Sequence, residues 1–172
     1  MSEIDDLLRA FEGQLEEPWK INLVGEEKVW MLTYRPESER RLRHRLGRFR
    51  VAAEAAGFKW QLIDVTYSLE KLLEADESRN EYLREPIASH DGVHHQFADG
   101  LISEVDAQLR EADSATVSAL LGSGSLFGLI PISRMMQTVA KNILGRMAVF
   151  FPGTHDGGSY RLLNAANGDG RL

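Results

Sequence analysis

The first apolar positions of the chain, Ile4, Leu7, Leu8, Phe11 and Leu15, recur at helical spacing and predict an amphipathic helix over 3–16. Residues 28–34, KVWMLTY, are a continuous apolar run with β-branched and aromatic members, the pattern of a strand buried on both faces. Pro36 suits the first turn of a second helix, and Glu37 and Glu39 suit the positive end of its dipole. Leu42, Leu46, Phe49 and Ala53 form the buried stripe of that helix, which Gly57 ends. A second strand is expected over 59–65, and a less regular helix over 66–86 with Pro86 as its terminator. Asp91 is a fitting N-cap for the next helix, marked by Phe97, Leu101, Val105 and Leu109. A third strand over 116–121 leads into the glycine-rich turn GSGSLFG, a helix over 132–143, and a fourth strand over 146–151.

Strands alternating with helix-length segments predict an α/β fold: a three-layer sandwich around a mostly parallel, Rossmann-like central sheet. After the fourth strand, Pro152 and Gly153 read as a break before a loop carrying His155 and Asp156. The run at 160–163 follows too closely for a helical crossover, so it is expected to return as an antiparallel hairpin strand. No repeat or low-complexity linker interrupts the pattern. A single domain over 1–172 is expected, with residues 1–17 as an N-terminal helix packed on it.

Composition narrows the function classes. Hydrophobic residues make up 43% and charged residues 27%, ordinary values for a globular protein. No apolar run approaches the roughly 20 residues a membrane helix needs. The acidic start MSEIDDLL is neither a secretory nor a transit signal, and there is no cysteine, which together suggest a cytoplasmic protein. A net charge of −6 argues against general nucleic-acid binding. It conceals an asymmetry, because residues 35–50 hold seven arginines against two glutamates, a net of +5.

Several constellations invite chemistry. In parallel sheets ligands gather outside the carboxyl ends of the strands. That edge would collect Gly122, Ser123, Gly124 and Ser125 of the glycine-rich turn with His155 and Asp156, a candidate ligand-binding loop. The turn lacks the Lys-Ser/Thr of a P-loop and the spacing of a dinucleotide fingerprint, so a structural turn with Gly124 and Gly128 in special conformations is the plainer reading. Ser123 or Ser125 with His155 and Asp156 could be assembled into a triad, but no nucleophile elbow supports it. His90, Asp91, His94 and His95 cluster without an evident further ligand, and a solvated helix start explains them better than a metal. The concentrated signal is the arginine helix. Arg41, Arg45 and Arg48 fall on one face (i, i+4, i+7) and are expected to be exposed and to serve a partner rather than local ion pairs.

Four stretches, taken in order, resemble one family. NLVGEEKVWMLTYRPESERRLRHRLGRF, GFKWQLIDVT, ALLGSGSLFGLIPIS and GRMAVFFPG with YRLLNAANGDG are similar to the BrxB family of BREX bacteriophage-defence systems, over roughly residues 18–170. The chain departs from that pattern at Asn164, where the family commonly carries aspartate. The resemblance implies a small non-enzymatic accessory subunit that binds a PglZ-type protein of the alkaline-phosphatase superfamily, and through it the wider BREX complex. It implies no cofactor and no metal, and contact with DNA that is at most indirect or weak. The alternative is a nucleotide- or nucleic-acid-binding module using the Gly122–Gly128 turn or the arginine helix over 37–56.

Overall fold

The computed structural model describes residues 2–20, 22–75, 90–126, 130–156 and 159–162; for 90–95, 156 and 159–162 it describes the backbone alone. The chain runs α1 (Glu3–Glu16), β1 (Val29–Tyr34), α2 (Glu39–Ala55), β2 (Lys59–Asp64), α3 (Ser68–Ala75), α4 (His90–Arg110), β3 (Thr116–Leu121), α5 (Ile132–Val139), β4 (Arg146–Asp156) and β5 (Ser159–Leu162). Single 3-10 turns precede β1 and α2, follow β3, and extend α5.

Four strands form a parallel sheet in the order β1-β4-β3-β2, and β5 pairs antiparallel with the far end of β4, Gly153 facing Leu162. Consecutive strands β1 and β2 therefore occupy opposite edges, and the α2 crossover spans the sheet. Alternation along the strands divides the interior into two cores. Ala148 and Phe150 face α1 and α2, beside Phe11, Leu42 and Phe49. Met147, Val149 and Phe151 face α4 and α5, beside Leu101, Val105, Met135 and Met136. This is the expected three-layer α/β arrangement.

Two strand readings change. β1 does pack on both faces, Val29 and Met31 on one core and Trp30, Leu32 and Tyr34 on the other, but it lies at an edge and only Leu32 and Tyr34 are fully buried. The same apolar sequence serves an edge strand because α1 and the segment after it cover it with an aromatic cluster, Phe11 of α1 and Trp19 beyond it packing edge-on against Trp30. The fourth strand does not end at Pro152-Gly153. β4 continues through His155 and Asp156, with Pro152 opposite Tyr34. Proline is tolerated there because the β3 ladder has already ended at Val149, so its missing N–H costs nothing on that side.

The helices follow the periodicity closely. α1 covers 3–16 and buries Ile4, Leu8, Phe11 and Leu15. Pro36 opens a 3-10 turn, Pro36–Ser38, which feeds α2 two residues later than expected. α4 begins at His90, so Asp91 lies inside the helix rather than capping it. The expected helix over 66–86 is present as Ser68–Ala75, and its remainder lies outside the described residues.

Candidate functional site

At the carboxyl edge of the sheet the chain leaves β1 toward α2 on one face and leaves β3 toward α5 on the other. That divergence opens a crevice, the usual ligand position in open parallel sheets. A cleft of about 380 Å³ lies there, lined by Pro36, Glu39, Arg43, Thr66, Tyr67, Gly122, Gly124, Ser125 and Pro152. Each parallel strand contributes: β1 through Pro36 beyond its end, β2 through Thr66 and Tyr67, β3 through the glycine turn, and β4 through Pro152 within it.

Arg43 organises the cleft floor. Its Nε donates to Glu39 Oε1 at 2.6 Å, and one terminal nitrogen donates to Thr66 Oγ1 at 2.7 Å. The other terminal nitrogen lies 3.6 Å from Asp64 Oδ2. The Tyr34 hydroxyl donates to Glu39 from beneath. Burial, and then the Glu39 carboxylate, push the Tyr34 phenol well above its usual range, so it stays a donor. Asp64 accepts from the Thr66 amide at 3.0 Å and from the Thr66 hydroxyl. Two carboxylates against one guanidinium leave this floor with a formal charge of −1. Such a floor repels phosphate, which a nucleotide cradle must attract.

The glycine turn is built inward. Gly122 has φ +87°, and a Cβ there would lie 2.7 Å from the Thr66 backbone nitrogen, so only glycine lets β3 pass this close to the end of β2. Ser123 is fully buried and donates to the Phe150 carbonyl at 2.8 Å. The Ser125 hydroxyl donates to the carbonyls of Gly122 and Val65 at 2.7 and 3.1 Å, and its amide donates to Gly122 at 3.0 Å. The special conformation expected at Gly124 belongs instead to Gly122. Leu126 is buried in the α4–α5 core, as the structural reading of the turn expects, and Gly128 lies outside the described residues.

Gly122, Gly124 and Ser125 thus reach the cleft, whereas His155 does not line it; it stands exposed on β4 beyond Pro152. The side chains of Asp156, His90, Asp91, His94 and His95 lie outside those described. Among the described residues no group of three metal-ligating side chains comes together, and no helix is long and apolar enough to cross a membrane.

The arginine helix requires the main correction. Arg45 and Arg48 were expected to stand free, yet both pair with Asp5 of α1, and Arg45 is only 33% exposed. Arg35 pairs with Glu3, Arg43 with Glu39 and Asp64, and Arg50 with Glu54. The acidic first turn of α1 lies alongside the basic helix and pairs Arg35, Arg45 and Arg48. Arg40 and Arg41 make no ion pair among the described residues; with His44 and Glu37 they line a shallow exposed depression at the start of α2. Arg43, the organiser of the cleft, was legible only as one more charge in a run.

No known family model matches this chain, and no curated protein or solved structure matches it either.

Proposed function

We propose that this chain is a non-enzymatic interaction subunit of a bacterial anti-phage complex of the BREX type, acting in the cytoplasm and binding its PglZ-type partner through the basic head of α2. The ordered resemblance of four stretches over roughly residues 18–170 suggests the system. The observation that carries the docking face is the division among the seven arginines: five have carboxylate partners within the chain, while Arg40 and Arg41, neighbours on one exposed patch with His44, have none among the described residues. Unpaired cations gathered on one patch repel, and an acidic partner surface relieves that repulsion while steering association.

The alternative, a nucleotide-binding module, draws on the position of the cleft at the strand carboxyl ends. The excess of carboxylate on its floor, and the inward commitment of the Ser123 and Ser125 hydroxyls, weigh against a phosphate ligand there.

The test is co-purification from the native operon with Arg40→Glu/Arg41→Glu. The double variant should keep the wild-type melting temperature and lose the PglZ-type protein, and raising salt should mimic it, because attraction between exposed charges is screened over about 10 Å at 0.1 M. Undiminished co-purification would place the interface elsewhere. Loss of duplex DNA retention with no change in protein partners would favour the nucleic-acid alternative.

A further inference from the structure

The opposite edge of the sheet holds a second pocket, of about 200 Å³, beneath the amino ends of β1 and β4. At its base sits Arg146, the first residue of β4 and only 5% exposed. Gly145 just before it approaches the β3 side so closely that a Cβ would collide with the Thr116 carbonyl oxygen, which fixes where the Arg146 side chain departs.

Arg146 is a cation taken out of water without a counter-ion among the described residues. It donates to the carbonyls of Gly145 and Lys20 at 3.0 and 3.3 Å, and its guanidinium lies 4.7 Å from the centre of the Trp19 ring. No carboxylate among the described residues is within ion-pair distance of it. A guanidinium offers five N–H donors in a fork shaped for a planar oxyanion, and two carbonyls do not use them up. Beside it, the Trp19 indole N–H is buried with no acceptor among the described residues, although the ring is fixed by stacking on Phe58 at 3.8 Å. Both residues line the same pocket, with Lys20 and Trp30. A buried unpaired charge is a poor choice for stability alone, since an apolar side chain of similar length would avoid its desolvation. An unsatisfied indole N–H beside a buried guanidinium with N–H donors to spare makes one pocket a built site for an acceptor.

We propose that this pocket binds a carboxylate, with Arg146 and the Trp19 indole N–H as its donors. A carboxylate suits it better than a phosphate because Glu17 and Glu27 also line the pocket, so a dianion would meet repulsion that a planar monoanion largely avoids. The carboxylate belongs either to a small free acid or to an acidic peptide side chain.

The experiment is a thermal-shift and tryptophan-fluorescence titration of the whole chain with sodium acetate, sodium butyrate and a short glutamate-containing peptide, against sodium chloride and inorganic phosphate at matched ionic strength. Saturable stabilisation by carboxylates and not by chloride is expected. A response to acetate and butyrate indicates a small-acid site, and one confined to the peptide indicates a docking site. Arg146→Met should fold with an equal or higher melting temperature and lose the response. Trp19→Phe keeps the stack but removes the N–H, and should weaken the carboxylate about tenfold, the value of one charge-assisted hydrogen bond. The proposal is overturned if no carboxylate gives a saturable response, if phosphate matches the carboxylates, or if Trp19→Phe leaves the response unchanged. Should Arg146→Met not fold, the Trp19→Phe titration alone decides.

Discussion

Arg48 on α2 donates a 2.8 Å hydrogen bond to the carboxylate of Asp5 on α1, across 43 residues of chain. Arg45 reaches the same oxygen and also donates to the Ser2 hydroxyl at 2.9 Å, while Asp5 accepts from the Ser2 hydroxyl at 2.7 Å. One carboxylate at the first turn of α1 therefore anchors two arginines and the start of its own helix. Glu3 extends the seam by accepting from the Ser38 hydroxyl and the Arg35 amide.

Charge reversal on α2 is accordingly expected to divide the helix by position. Arg45→Glu/Arg48→Glu would set two carboxylates against Asp5, so the melting temperature should fall by several degrees. Arg40→Glu/Arg41→Glu should leave it unchanged. Differential scanning calorimetry of the two double variants checks this, and equal melting temperatures would contradict it.

The same seam gives a pH dependence. The Ser2 hydroxyl first, and then Arg45, hold the Asp5 carboxyl far below its usual value of 3.8. Lys59 first, with the Thr116 hydroxyl, holds Asp113 at about 2. Carboxyls depressed on folding stabilise the protein above their unfolded pKa, and that stability is lost as pH falls toward the folded value. Stability should be level above about pH 5 and decline below about pH 4. Asp5→Asn should be less stable at pH 7 and show a shallower acid limb in urea titrations; an unchanged limb would mean that Asp5 is not linked to folding.

Gly122→Ala should destabilise the protein by at least ~2 kcal/mol, because the new methyl group meets the Thr66 backbone in a left-handed conformation. Gly124 has no positive φ, so Gly124→Ala should cost much less. Equilibrium urea unfolding distinguishes the two.

Ser123 and Ser125 are expected to differ in the same measurement. Ser123→Ala removes a buried donor from the Phe150 carbonyl and should cost about 1–3 kcal/mol. Ser125→Ala, at the rim of the cleft, should cost about 0.5–1.5 kcal/mol.

The sequence by itself determined the elements and the class. The stripe Ile4, Leu8, Phe11, Leu15 set α1 to its residue, and the run TVSALL at 116–121 became β3, every residue of which is buried between two neighbours. Periodicity and chain breakers are local, so they survive in a one-dimensional reading. Where a local breaker met long-range pairing the reading failed: Pro152 lies within β4 because a neighbouring ladder ends before it. The placement of β1 and β2 at opposite edges, the pairing of Arg45 with Asp5, and the grouping of Arg43 with Thr66 were decided by tertiary structure alone. Each depends on which distant segments the crossovers bring together. An arginine reads the same in sequence whether a carboxylate, solvent or an aromatic ring awaits it. Only the packing of α1 on α2 separated Arg48 from Arg41, and only the close approach of β3 and β4 at Gly145 buried Arg146.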